Sequence, residues 1–125
     1  AGRAGCNGAP IVYTPKNTVD FERKVARAAE AVMTSHHYDP TEDAVAIRVD
    51  FFFRRPKSVP PSRKWPTVKP DLDNLVKAVV DGMNGIVYAD DKLIVSSTES
   101  KQYALAKDEP RVRVRVWNAG HMVRW

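Results

Sequence analysis

Asp71 and Asp73 stand one residue apart in the segment KPDLDNLVKAVVDGMNGIVYADD, Lys69 to Asp91, and a second acidic pair, Asp90 and Asp91, closes it. Residues two apart in an extended or turn segment point to the same side, so both carboxylates of the first pair can face one ion. Hard cations such as Mg²⁺ take oxygen ligands, usually one or two carboxylates with water and substrate phosphates. A third carboxylate, at Asp90 or Asp91, would complete a divalent-metal pocket if the chain returns to the start of the intervening helix.

The surrounding charge complements such a site. Twenty Lys and Arg against fifteen Asp and Glu give a net charge of +5 and a pI near 9.5, which favours a polyanionic partner. From Phe51 to Pro70 there are six basic residues, Arg54, Arg55, Lys57, Arg63, Lys64 and Lys69, and no acidic one. A basic, Pro-rich and mobile loop running into a carboxylate pair suits a phosphodiester, because cations hold the backbone while the metal engages the scissile phosphate. For any single Arg of the loop, a solubilising role is the safer explanation. Trp65 can stack on a base or pin the loop by burial. Upstream, YTPKNT sets Tyr13, Lys16 and Asn17 ahead of a helix N-terminus, a natural phosphate position, although turn chemistry also explains Pro15, Asn17 and Thr18.

The elements that must position these groups follow from periodicity. Leu72, Leu75, Val76, Val79, Val80 and Met83 form one apolar helical stripe, with Asn74, Lys77, Asp81 and Asn84 on the other faces. Asp73 can cap the first turn and Gly85 can stop the helix. The following GIVYADDKLIVSS reads as a turn into a strand that would carry Asp90 and Asp91 back beside the helix start. Thr18 can cap an earlier helix reaching about Met33, with Phe21, Val25, Ala28, Ala29 and Val32 on its inner face. Val45, Ile47, Val49, Phe51 and Phe53 alternate as a half-buried strand, as do Val112, Val114 and Val116. We expect an α+β fold: a single compact domain with two main helices packed on one face of a small mixed sheet.

These residues resemble the RusA-like Holliday junction resolvases, endodeoxyribonucleases of bacteria and their prophages. The resemblance rests on KPDLDNLVKAVVDGMNG followed by ADD, on YTPKNT with a helix after it, and on FFFRRPKS ending in a basic loop, and it covers roughly residues 13 to 117. It implies that Asp71, Asp73 and Asp91 hold Mg²⁺ or Mn²⁺, that Lys77 completes the catalytic set, and that a homodimer cuts branched DNA. It tips Lys16 towards DNA. Members usually begin with a strand and a Gly/Pro/Lys/Arg-rich loop that the opening AGRAGCNGAP does not supply. The domain is therefore expected over residues 1–117, with 118–125 a tail in which Gly120, His121 and Met122 look like a cloning scar and Met122 to Trp125 a displaced first strand.

A length of 125 residues allows one core. The longest apolar runs are far shorter than a membrane span and no secretory segment is visible, so a soluble cytoplasmic protein is expected. The lone Cys6 cannot form an internal disulfide, and His36, His37 and His121 have no ligand spacing, so no zinc site is assigned. Arg111, Arg113 and Arg115 line one strand face, where they can touch DNA or simply blunt edge pairing. Asp81, about two turns beyond Asp73, faces solvent or links to Lys77 one turn away, and an Asp73–Lys77 surface pair is the plain alternative for that lysine. Two other functions stay open: a non-catalytic branched-DNA-binding protein, and a metal-dependent hydrolase of a small phosphorylated substrate. The intact DxD, ADD and Lys77 disfavour the first, and the long basic stretch disfavours the second.

Overall fold

The computed structural model describes residues 18–105 and 107–121. Lys16, the YTPK residues and residues 122–125 lie outside them, and with them the displaced-strand expectation. Helix α1 spans Thr18–Ser35, strand β1 Val45–Phe53, helix α2 Leu72–Met83, strand β2 Ile94–Tyr103 and strand β3 Arg111–Asn118. Short 3₁₀ turns occupy Asp91–Leu93 and Ala119–His121. The sheet order is β2-β1-β3, with β2 parallel and β3 antiparallel to β1. A parallel neighbour demands a crossover, and α2 provides it. The result is the expected α+β domain with a mixed sheet and two helices.

Helix α1 buries Phe21, Val25 and Met33, α2 buries Leu75, Ala78, Val79 and Met83, and both face Ile47, Val49 and Phe51 of β1. α1 runs two residues past Met33 and closes with Tyr38 N–H on Met33 O at 2.8 Å and His37 N–H on Thr34 O at 3.1 Å. His37 takes φ 56° there, the left-handed position that glycine more often fills. The two helices meet where α2 has no side chain. A Cβ on Gly82 would lie 2.8 Å from Val25 Cβ and 2.9 Å from the Glu22 carbonyl oxygen. Glycine inside a helix costs about 1 kcal/mol relative to alanine, and here the close approach of α1 offsets it.

The expectation of a half-buried β1 needs correction: both faces are largely covered. The outer face carries Ala46, Arg48, Asp50 and Phe52, and Asp50 is 1% exposed. Arg48 Nε lies 3.1 Å and Arg113 Nη2 3.5 Å from Asp50 Oδ2, while Ser100 Oγ donates to Oδ1 at 2.6 Å. Gln102 Nε2 in turn donates to Ser100 Oγ at 2.7 Å. Arg111 and Arg113 stack over the Phe52 ring, at 4.2 and 5.4 Å from its centroid. Long arginine stems thus cover the centre of a face on which no helix of the described residues packs. Burial alone would raise the Asp50 carboxyl, but the hydrogen bonds from Ser100 and Arg48 and the charges of Arg48 and Arg113 outweigh it and hold the group below the usual carboxylate range.

Two outcomes follow for chemical denaturation. Gly82→Ala should destabilise by about 1–3 kcal/mol, because the Glu22 carbonyl cannot retreat without moving α1. A neutral or stabilising result would contradict the close approach. Asp50→Asn should cost about 1.5–3 kcal/mol near neutral pH, since it removes the charged acceptor of the Arg48 and Ser100 hydrogen bonds. A depressed carboxyl contributes stability that is present above its unfolded pKa and lost as pH falls through its folded pKa. The gap between the two proteins should therefore close in acid.

Candidate functional site

Asp71 occupies the cap position of α2, in extended conformation (φ −68°, ψ 144°), with no capping hydrogen bond from its side chain. Its carbonyl accepts the Leu75 N–H at 3.1 Å. Asp73, expected as the cap, lies within the first turn instead, and its Oδ1 accepts the Asn74 N–H at 3.0 Å. Both carboxylates are exposed. A helix N-terminus favours negative charge, which eases the repulsion between them. Lys77, one turn further on, pairs with Asp81 at 3.5 Å rather than with Asp73. Its side chain is 76% exposed, so the pair is worth little to stability and the ammonium can leave it.

The second acidic pair is held at the other end of the helix. The chain turns at Gly85 (φ 79°), Gly85 N–H bonds Tyr88 O, Thr41 N–H bonds Val87 O, and Ala89 N–H bonds Thr41 O. The Tyr88 hydroxyl is buried and donates to Val80 O at 2.9 Å. Burial first, then the charges of Asp91 and Asp81, push its pKa well above the usual tyrosine value. Asp91 and Asp81 therefore lie within electrostatic reach of one phenol. Asp90 caps the 3₁₀ turn, its Oδ1 accepting the Lys92 N–H at 2.9 Å. That backbone bond, with smaller help from the Asp91 side chain and the Lys92 charge, lowers its pKa against some desolvation. Asp91 opens the turn, exposed.

The expected return to the helix start is thus not made. β2 begins with Ile94 opposite Val45, whereas Lys101, which holds the backbone just ahead of Asp71, lies opposite Phe51. The ladder between those positions is roughly 20 Å long at the usual rise per strand residue. Asp71 and Asp73 sit at the start of α2, and Asp91 comes back beside its second half. Among the described residues no three Asp, Glu, His or Cys converge as a metal-holding group. The donors nevertheless suit a hard dication, which is commonly held by one or two carboxylates and completes its shell with water and phosphate.

The basic loop is pinned rather than loose. Arg55 Nη1 donates to Pro60 O at 3.2 Å and to Arg63 O at 2.8 Å, and its guanidinium lies 4.3 Å from the Tyr103 ring centre. Arg55 is therefore taken up within the loop, while Arg54, Lys57, Arg63, Lys64 and Lys69 are exposed. Trp65 is 57% exposed, and its neighbour Pro66 is the buried residue. The second pin is Lys101, which sequence reasoning passes over. Its Nζ donates to Val68 O at 2.6 Å and to Pro70 O at 2.9 Å, so one ammonium holds the backbone directly ahead of Asp71. Only the pairing of β2 with β1, on the helix-bearing side, could have pointed to it.

A family model described as endodeoxyribonuclease RusA matches residues 2–117. The chain is also similar to YqaN of Bacillus subtilis (strain 168), an uncharacterized protein, at 34% identity over 122 residues, covering 88% of this chain and 80% of that one. No helix among the described residues is long and apolar enough to cross a membrane.

Lys101→Met keeps the apolar stem and removes both bonds. It should cost about 1.5–3 kcal/mol, the usual worth of hydrogen bonds to a charged group, and should speed proteolysis or hydrogen exchange within residues 57–70. Unchanged protection there would show that the loop is held by other means.

Proposed function

Because this chain belongs to the RusA endodeoxyribonuclease family, we propose that it is a Mg²⁺-dependent, homodimeric, cytoplasmic endonuclease that resolves four-way DNA junctions by paired phosphodiester hydrolysis, in recombination and repair. The observation that carries the proposal is the start of α2. There two exposed carboxylates, neither paired with a cation among the described residues, follow directly on a pinned loop of exposed lysines and arginines. A small phosphorylated substrate has no use for a basic stretch of that length, and a simple binding module has no use for exposed carboxylates beside the phosphates it must attract.

Asp71 and Asp73 would hold the dication, with Mn²⁺ as a substitute; Asp91, set towards the other end of α2 within one protomer, would need the second protomer of the proposed dimer to join them. When bound, such an ion activates water and stabilises charge on the phosphoryl and leaving oxygens. Lys77 shares an exposed helix face with Asp73 and Asp81, and on release from Asp81 it can neutralise charge developing on the phosphate. Arg54, Lys57, Arg63, Lys64 and Lys69, with Lys16, would grip the backbone on either side of the cut. Resolution needs two cuts in strands of like polarity, and a two-fold dimer supplies two equivalent sites.

The test compares wild type with Asp73→Asn on a labelled four-way junction and a matched linear duplex, scoring binding in Ca²⁺ and cleavage after Mg²⁺ is added. Wild type should nick the junction symmetrically. The variant should still bind but cleave at least about 10²-fold more slowly, the scale of losing one group that stabilises transition-state charge. Tight junction binding without cleavage by wild type would contradict the proposal in favour of a binding module.

A further inference from the structure

The side of the sheet away from the helices is a second basic surface. Register places Arg48 and Asp50 of β1 beside Arg115 and Arg113 of β3, with Arg111 opposite Phe52. On the other flank Ser96, Thr98, Ser100 and Gln102 of β2 pair with Ala46, Arg48, Asp50 and Phe52. Side chains at register-paired positions share a face. Among the described residues that face therefore presents four arginines and a row of hydroxyl and amide groups, and its one register-placed carboxylate, Asp50, is buried and already paired twice.

The arginines are organised rather than merely present. Asp50 fixes the Arg48 and Arg113 guanidiniums from below, yet their side chains remain 43% and 44% exposed. Arg111 sits over the Phe52 ring and also donates to the Glu109 carbonyl at 3.3 Å. Among the described residues no carboxylate pairs with Arg111 or Arg115. Arg111, Arg113 and Arg115 follow one another at about 7 Å, two strand residues apart. A row of guanidiniums in which Arg113 is held by Asp50 and Arg111 by Phe52 suits the oxygens of a phosphate backbone. A second copy of this chain fits poorly, because a two-fold contact through this face would set arginine against arginine.

We propose that this outer sheet face holds the backbone of a second duplex arm of the branched DNA, apart from the arm presented to Asp71 and Asp73 on the helix side. The inference rests on the proposed DNA-directed function and adds where a second arm lies. It gives the protein a reason to prefer branched over linear DNA, since only a branched substrate can reach both faces of one protomer at once.

The variant that tests it is Arg111→Gln with Arg115→Gln, which leaves Arg48 and Arg113 on Asp50. Binding to a four-way junction and to a linear duplex is measured in Ca²⁺ across a salt series, with the oligomeric mass and melting curve of each protein recorded alongside. Two lost phosphate contacts should lower the slope of log affinity against log salt by about 2 for the junction, and junction affinity should fall by more than duplex affinity. A folded variant with an unchanged junction slope overturns the inference, as does a change in oligomeric mass, which would make the face a protein interface. If wild type cuts junctions and the variant's slope is unchanged, the sheet-face inference alone fails. If wild type neither binds nor cuts branched DNA, the proposed function fails and takes this inference with it.

Discussion

The seating of α2 on α1 at Gly82 is the constraint on which the remaining geometry depends. With no side chain there, the α2 backbone comes within van der Waals range of Val25 and the Glu22 carbonyl. That contact sets how deeply Leu75, Val79 and Met83 press onto Ile47, Val49 and Phe51. α2 is also the crossover between two parallel strands, so its depth and direction decide where both of its ends emerge. One end delivers Asp71 and Asp73 and the other delivers the turn that leads to Asp91. A larger residue at position 82 would shift both.

Charge is distributed around this frame in two different ways. On the helix side the charged groups are exposed and lightly committed: Asp71 makes no capping bond, and Lys77 only a long surface pair with Asp81. Such groups can exchange partners when an ion or a phosphate arrives. On the outer sheet face the central charge is buried and fully committed, Asp50 being tied to Arg48, Arg113 and Ser100. Removing Arg48 or Arg113 would leave the buried Asp50 carboxylate short of a partner, so that network rigidifies the sheet. Lys101 couples the two regions mechanically, since it belongs to the sheet yet holds the loop that enters α2.

Much of this is legible from periodicity. The stripes Phe21–Val25–Ala28 and Leu75–Val79–Met83 locate both helices because a 3.6-residue repeat over several turns has few competing readings. The alternating valines of β3 and the run Val45–Phe53 locate the strands. What sequence does not reach are features set by pairing in space. Asp50 reads as a polar interruption in an apolar strand until Arg113 and Ser100 are placed beside it by register. Lys101 is one lysine among many until Pro70 comes to it. The path of Asp91 departs from expectation because the direction of a chain after a turn depends on Thr41, nearly fifty residues earlier, which captures Val87 and Ala89. Asp71 and Asp73 do share one helix start, because that relation is local.

The measurement that bears most directly on the central claim is a Mn²⁺ titration of isotope-labelled protein bound to a non-cleavable four-way junction, read as paramagnetic broadening of backbone amides. The account predicts that residues 71–74 broaden first, that residues 91 and 92 broaden with them, and that Asp73→Asn abolishes both effects. Broadening centred away from the start of α2, or unaltered in the variant, would contradict a metal site built on Asp71 and Asp73.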